Sequence, residues 1–297
     1  MKKKLLAALL ALTLALSFAA CGGGDGGSSA QGSSTPVDDT KPSEPEQSQE
    51  ATIEEQVLFD NQGLKITATK LKTDPFMGPV LYLLIENNTE TDLTVQTRNV
   101  SVNGYMADPI FSSDVAAGKK VNDTVDFMSS QMELCGIDDI ADIELSFHVF
   151  TTDDWETVID TDPIQIKTSL ADGFNYQYDD SGEVLYEGNN LRIISKGLSE
   201  KGSFLGTNLL LYIENNGQVP ITVRDEDTSI NGFMVDLLLS EEVLPGKRAV
   251  ADASIMSSDL EDNNITEITE IETKLSIYNT DTYDDIVETG VLTLTFQ

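Results

Sequence analysis

A self-repeat at 128 residues governs what this chain can fold into. The run Leu83, Ile85, Glu86, Asn87, Asn88 returns as Leu211, Ile213, Glu214, Asn215, Asn216, an offset of 128. The same offset carries Thr94-Val95 onto Thr222-Val223, Asn103-Gly104 onto Asn231-Gly232, Met106 onto Met234 and Gly118-Lys119 onto Gly246-Lys247. It also carries Met128-Ser129-Ser130 onto Met256-Ser257-Ser258, and Ile137, Ile140 and Ile143 onto Ile265, Ile268 and Ile271. Upstream, Leu64 and Ile66 meet Leu191 and Ile193 at an offset of 127, so one residue is gained in the loop between. This is a tandem duplication, and 297 residues accommodate two domains of roughly 120 residues each.

Each copy reads as β. Leu64, Ile66 and Ala68 alternate with Lys65, Thr67 and Thr69, and Ile143, Leu145, Phe147 and Val149 alternate with Glu144, Ser146 and His148. That is the two-residue period of a half-buried strand. Asn61-Gln62-Gly63, Asn87-Asn88, Asn103-Gly104 and Ala117-Gly118 mark turns at short intervals. Parity changes once per copy: Leu93 and Val95 give way to Val100 and Val102, and Ile221 and Val223 to Thr228 and Ile230. Such a change requires an extra residue, which predicts a bulge or bend at Arg98-Asn99 and at Glu226-Asp227. The segments after Ser129 and Ser257 have room for one helical turn each, with Ser130-Gln131-Met132-Glu133 in a capping pattern. Several short strands per copy, with no recurring helical pattern, predict an all-β chain of two duplicated Ig-like β-sandwich domains. The Cys…Trp…Cys core of true immunoglobulin domains is missing, so the expectation concerns architecture alone.

Ahead of the repeats, Lys2, Lys3 and Lys4 precede an apolar run from Leu5 to Ala20, a signal-peptide pattern a little short for a membrane span. The run ends Phe18-Ala19-Ala20-Cys21. This resembles a bacterial lipobox, with Phe18 where Leu is usual, and the resemblance implies a lipid on Cys21 after cleavage. Residues 22–50 are rich in Gly, Ser, Pro, Gln and Glu and hold no aromatic residue. Such a linker is expected to be disordered, with a reach of about 30 Å. The expected layout is a lipoprotein signal peptide at 1–20, the lipidated Cys and flexible linker at 21–50, a first sandwich at 51–168, an inter-domain segment at 169–183 and a second sandwich at 184–297. The expected location is the cell membrane, lipid-anchored on its extracytoplasmic face, in a Gram-positive envelope.

The repeated pattern is carried by the Ile-Glu-Asn-Asn turn, the Val-Asn-Gly and Ile-Asn-Gly hairpins, and the stretch from Gly136 to Phe147. It is similar to Ig-like domains of unknown function on lipoproteins of Gram-positive, especially clostridial, bacteria. The resemblance spans both domains. It implies a surface-exposed sandwich module and brings no established activity.

Lys and Arg number 18 against 51 Asp and Glu, a formal charge of −33 that becomes −36 once the three leader lysines are removed. This argues against nucleic acid or anionic lipid as partner, because both require cationic side chains to replace counterions. Hydrophobic residues at 40% suffice for ordinary cores. His148 is the only histidine and falls on the solvent side of its strand, opposite Ser276 in the repeat, so a surface role is expected. Lipidation of Cys21 leaves Cys135 without a disulfide partner, and a buried, hydrophobe-like thiol is expected. No phosphate loop, nucleophile elbow or His-Glu-x-x-His helix occurs, so neither a cofactor, a metal nor an enzyme activity is expected. The carboxylates kept in both copies are Glu86/Glu214, Asp108/Asp236, Glu144/Glu272 and Asp153/Asp281. They read as turn and edge residues before they read as a glycosidase pair. The clusters Asp138-Asp139-Asp142, Asp153-Asp154, Asp225-Glu226-Asp227 and Asp281-Asp284-Asp285 lack EF-hand spacing. A weak Ca²⁺-binding or Ca²⁺-stabilised surface module is the alternative function, and a carboxylate-based wall-glycan enzyme stands behind it.

If the strands alternate in direction, the loop after Leu71, the Asn103-Gly104 hairpin and the loop after Phe127 emerge at one pole. Phe76, Met77, Tyr105, Met106 and Met128 gather there, as do Phe204, Leu205, Phe233, Met234 and Met256 in the second copy. Aromatic and Met residues on loops of a rigid sandwich are favoured at interfaces. The pole is therefore the candidate binding site for an envelope protein or wall component, set against the reading that these side chains plug the core ends. Strand Val80 to Ile85 is apolar on both faces, whereas a sandwich strand normally leaves one face wet. Segment 169–183, with Phe174, Tyr176 and Tyr178, or a partner protein, is expected to cover it. The function that follows is a lipid-anchored, non-enzymatic interaction or ligand-binding module at the cell surface.

Overall fold

The computed structural model describes residues 50–199 and 206–296. The expected signal peptide, Cys21 and nearly all of the linker lie outside the described residues, as do Phe204 and Leu205. The first repeat holds β1 (Gln56–Asn61), β2 (Leu64–Asp74), β3 (Gly78–Asn87), β4 (Leu93–Val102), β5 (Tyr105–Met106), β6 (Ser112–Val115) and β7 (Lys120–Asp126). A helical turn α1 (Ser129–Leu134) leads to β8 (Asp142–Thr151), β9 (Thr157–Asp160) and β10 (Ile164–Lys167). The second repeat holds β11 (Glu183–Gly188), β12 (Leu191–Ser199), β13 (Gly206–Asn215), β14 (Ile221–Ile230), β15 (Phe233–Met234), β16 (Leu237–Leu238), β17 (Ser240–Val243) and β18 (Arg248–Met256). After α2 (Ser257–Asp262) come β19 (Glu270–Asn279), β20 (Asp285–Glu288) and β21 (Leu292–Thr295).

Two all-β sandwiches result. In the first, the sheet β1-β2-β3-β7 faces a sheet built on β4 and β8, with β5, β6, β9 and β10 at its margins. In the second, β11-β12-β13-β18 faces a sheet built on β14 and β19. Alternation closes each core. Leu64, Ile66, Leu81, Leu83, Ile85, Val95, Leu145 and Phe147 are buried in the first, and Leu191, Ile193, Leu211, Ile213, Val223, Leu275 and Ile277 in the second. Each such side chain contributes roughly 1.5–3 kcal/mol by leaving water.

The parity changes are bulges. Register shifts between Arg98 and Ser101 in β4, and between Glu226 and Ser229 in β14. Asn99 and Asp227 take left-handed backbone there, at φ 54° and 52°. Both halves of β4 still pair with β8, so the strand stays in one sheet. The two helical turns form where expected, but their N-caps are Met128 and Met256, without a side-chain capping bond. Ser130 lies inside α1, so its capping pattern is not used.

The repeated asparagines explain why the motif survives duplication. Asn87 is fully buried; its Nδ2 donates to the carbonyls of Thr91 at 2.8 Å and Val115 at 2.9 Å, and its Oδ1 accepts from the Thr89 N–H at 3.0 Å. Asn215 does the same to Val219, Val243 and Gly217. Asn103 and Asn231 start the two left-handed Asn-Gly turns, at φ 50° and 49°. Asn103 donates to the Asp139 carbonyl at 2.7 Å and accepts from the Ala141 N–H at 2.8 Å. Each amide thus stands in for a missing strand neighbour and satisfies backbone groups that would otherwise be buried without partners. Asn87→Ala orphans the buried Val115 carbonyl, while the Thr91 carbonyl keeps the Thr89 hydroxyl at 3.0 Å. It is expected to cost roughly 1–3 kcal/mol in urea unfolding, whereas Asn88→Ala at its exposed neighbour stays within about 0.5 kcal/mol.

Candidate functional site

The loops at the upper pole of the first sandwich do meet. Phe127 donates to the Pro79 carbonyl at 2.9 Å and Ser129 to the Met77 carbonyl at 3.1 Å. Gly78 makes this possible: at φ 96°, a Cβ there would come within 2.6 Å of the Phe127 carbonyl oxygen. Asp74 turns the loop by accepting from the Phe76 and Met77 N–H groups at 2.8 and 3.0 Å, which holds its carboxyl below the usual range. Phe76 is left 91% exposed and Met77 43% exposed, beside a cleft of about 390 Å³.

The hairpin at this pole has a different fate. Tyr105 is 4% exposed, and its ring lies with Cys135 against Ile194 and Tyr212 of the second sandwich. Met106 packs against the second core. The Arg248 N–H donates to the Gly104 carbonyl at 3.1 Å, and Tyr105 and Arg248 form a parallel bridge that joins a sheet of each sandwich. The Arg248 guanidinium lies 3.5 Å from the Tyr178 ring centre and donates to Tyr212 Oη at 3.2 Å and Glu214 at 3.1 Å. Tyr178 donates to the Asn103 carbonyl at 3.2 Å, and Lys247 pairs with Glu144 at 3.0 Å across the joint. Burial pushes the Cys135 thiol up to about 12, so it is an inert member of this contact. Tyr105 and Met106 are therefore occupied within the chain, and Met128 lines a crevice beside the joint.

In the second sandwich the same hairpin is open. Phe233 is 48% exposed and Met234 68%. A Cβ on Gly104 would meet Tyr178 and Arg248 at 3.2 and 3.3 Å, whereas one on Gly232 would meet nothing within 4 Å. Met256 is half-buried at the end of β18. Segment 169–183 does not cover Val80–Ile85. Its Tyr178 is drawn into the joint and its Tyr176 donates to Asp142, because the joint offers those rings aromatic and cationic partners. Val80 is buried regardless, and Tyr82 is screened by the Lys70 ammonium, 4.1 Å from its ring centre.

His148 is on the outer face of its strand but is buried at 8% exposure. Strand β9 brings Asp160 Oδ1 to 2.6 Å from its Nδ1, and Phe150 packs beside the ring. Three of the kept carboxylates form ion pairs: Glu86 with Lys120, Glu214 with Arg248 and Glu144 with Lys247. Among the described residues, no group of three or more His, Cys, Asp or Glu is placed to hold a metal ion. Two exposed aromatics escaped the sequence reading. Trp155 and Tyr283, 128 residues apart, are 73% and 76% exposed at the opposite pole and stack on Phe150 and Tyr278. Both take left-handed backbone at φ 61°, a strain of about 1–2 kcal/mol for a bulky residue. Their shared offset was the available signal.

No family model matches the chain, and no curated protein matches it. Among solved structures, the YadV chaperone is similar at 12% identity over 78% of this chain and 100% of that one, with a TM-score of 0.25. The Salmonella enterica SafA pilin in complex with the SafB chaperone is 10% identical over 73% and 89%, with a TM-score of 0.20. Red sea bream transglutaminase is 14% identical over 80% of this chain and 31% of that one, with a TM-score of 0.17. Likeness at these scores carries no argument about function.

Glu241 of β17 lies in the crevice between the sandwiches. Burial, then the negative charges of Asp108, Asp252 and Glu242, push its carboxyl up to about 8. A carboxyl raised on folding holds its proton more tightly in the folded chain, so its contribution is full below about pH 4.5 and is lost as pH rises through about 8. Thermal melts of Glu241→Gln are expected to show a flatter decline over that window and a gain of roughly 1–3 kcal/mol near pH 8.5. An unchanged pH dependence would contradict this assignment.

Proposed function

We propose that this chain is a lipid-anchored, non-enzymatic binding module, held by a lipid on Cys21 to the extracytoplasmic face of a Gram-positive cell membrane. The anchor rests on the Phe18-Ala19-Ala20-Cys21 sequence and the spacer that follows it. Binding rests on the open pole of the second sandwich, where Phe233 and Met234 stand exposed on a hairpin pinned by Asn231. Side chains that merely plugged a core end would be covered. An apolar tip on a rigid hairpin binds without first being ordered, which is where loop-borne recognition loses much of its affinity. Phe76 and Met77 form a second exposed tip on the first sandwich. The partner is an envelope protein or wall component.

Residues 51–297 immobilised as bait against native envelopes test the reading, with Phe233→Ser/Met234→Ser, Phe76→Ser/Met77→Ser and Trp155→Ser/Tyr283→Ser variants of matched melting temperature. A defined partner held by the native chain and lost by the Phe233/Met234 variant is the expected result. Equal capture by all baits, or loss confined to the Trp155/Tyr283 variant, contradicts the pole as the binding surface. Mass spectrometry of the mature chain is expected to find a diacylglyceryl group on Cys21, and an unmodified mature N-terminus overturns the anchor.

A further inference from the structure

The joint between the sandwiches has a second set of matching parts that the chain itself leaves unused. Its inserting side is Asn103-Gly104-Tyr105 with Glu144; its receiving side carries Arg192, Lys247 and Arg248 on the β12-β13-β18 face. The repeat places Asn231-Gly232-Phe233 and Glu272 on the open pole of the second sandwich. It places Lys65, Lys119 and Lys120 at the matching end of the β2-β3-β7 face of the first. Even the supporting ion pair is kept, Lys120 with Glu86 standing where Arg248 stands with Glu214. Among the described residues, neither Lys119 nor Glu272 has an ion-pair partner, while their counterparts Lys247 and Glu144 bind each other at 3.0 Å.

We propose that a second copy of this chain supplies the missing half. The Gly232–Met234 hairpin of one molecule seats on the β2-β3-β7 face of the next, with Glu272 against Lys119, in the manner of the joint within the chain. This rests on the reading of the open pole as a binding surface and names its partner. Charge favours the match: Glu267, Glu270 and Glu272 flank the inserting hairpin, and three lysines mark the receiving end, Lys65 paired with Asp60, Lys120 with Glu86 and Lys119 left for Glu272. The apolar part of the receiving face is smaller than in the internal joint, with Thr67, Leu84 and Asn122 where Ile194, Tyr212 and Val250 stand. The contact between copies is therefore weaker than the internal joint and gains from confinement on a membrane. Inserting and receiving surfaces differ, so the contact is heterologous and adds copies end to end, as an open chain or a closed ring according to the rotation between copies.

Sedimentation of residues 47–297, the compact unit that holds both cores, tests this up to about 1 mM. The expected weight-average mass rises with concentration without a plateau at the dimer. Phe233→Ser/Met234→Ser, at exposed positions, is expected to abolish the rise with an unchanged melt. Glu272→Lys and Lys119→Glu are each expected to weaken self-association about tenfold or more, and an equimolar mixture of the two to regain it, the two variants alternating from copy to copy. A chain that stays monomeric throughout, or charge reversals that the mixture fails to rescue, overturns the proposal. If either occurs while the Phe233/Met234 variant still loses an envelope partner, the binding module stands and only the copy-to-copy contact falls.

Discussion

The arrangement of this molecule depends on Arg248. Its backbone N–H ties the Gly104 carbonyl, and its guanidinium lies over Tyr178 while donating to Tyr212 and Glu214. Around it, Tyr105, Cys135 and Ile194 exclude water. A guanidinium is suited to this place because its plane stacks on a ring while its edge satisfies acceptors, which a lysine in the same position does not do. The first sandwich has Lys120 at the equivalent position, paired with Glu86 and exposed. Two copies of one domain therefore end in different states, one hairpin closed by its neighbour and the other left open.

Duplication normally preserves what the fold requires and relaxes the rest. The buried Asn87 and Asn215 and the asparagines of the two Asn-Gly turns are kept in both copies, and each satisfies backbone groups that no strand neighbour reaches. The left-handed bulges at Asn99 and Asp227 recur with them. The surfaces that form the joint have diverged: Tyr105 against Phe233, Tyr212 against Leu84, Ile194 against Thr67. The equivalent face of the first sandwich has less apolar area than the covered face of the second and carries cations at the same positions. That combination keeps a surface soluble while leaving it able to pair with an acidic partner.

The strands, the bulges and both helical turns were readable because alternation, parity and turn residues are local signals. Coverage of an outer face is not local. Alternation puts His148 on the outer side of β8 beside Phe150 of the same strand, yet it is β9 that closes over it through Asp160, and no pattern within β8 records that approach. The pole was legible as a cluster of loops, but its division was not. Whether Tyr105 lies in solvent or under a second domain depends on an event between copies, whose trace in the sequence is only their divergence in polarity. Trp155 and Tyr283 were legible in principle through their shared offset, and were hidden because a turn rich in Asp and Thr reads as plain solvent-facing loop.

The central claim is an asymmetry: equivalent hairpins, one closed within the chain and one open to a partner. Oxidative footprinting of methionine reads it directly, in the isolated dilute chain and in native envelopes. The account predicts that Met234 oxidises several-fold faster than Met106 in the isolated chain and becomes protected in the envelope, while Met106 stays slow in both. Equal rates for Met106 and Met234 in the isolated chain would contradict it.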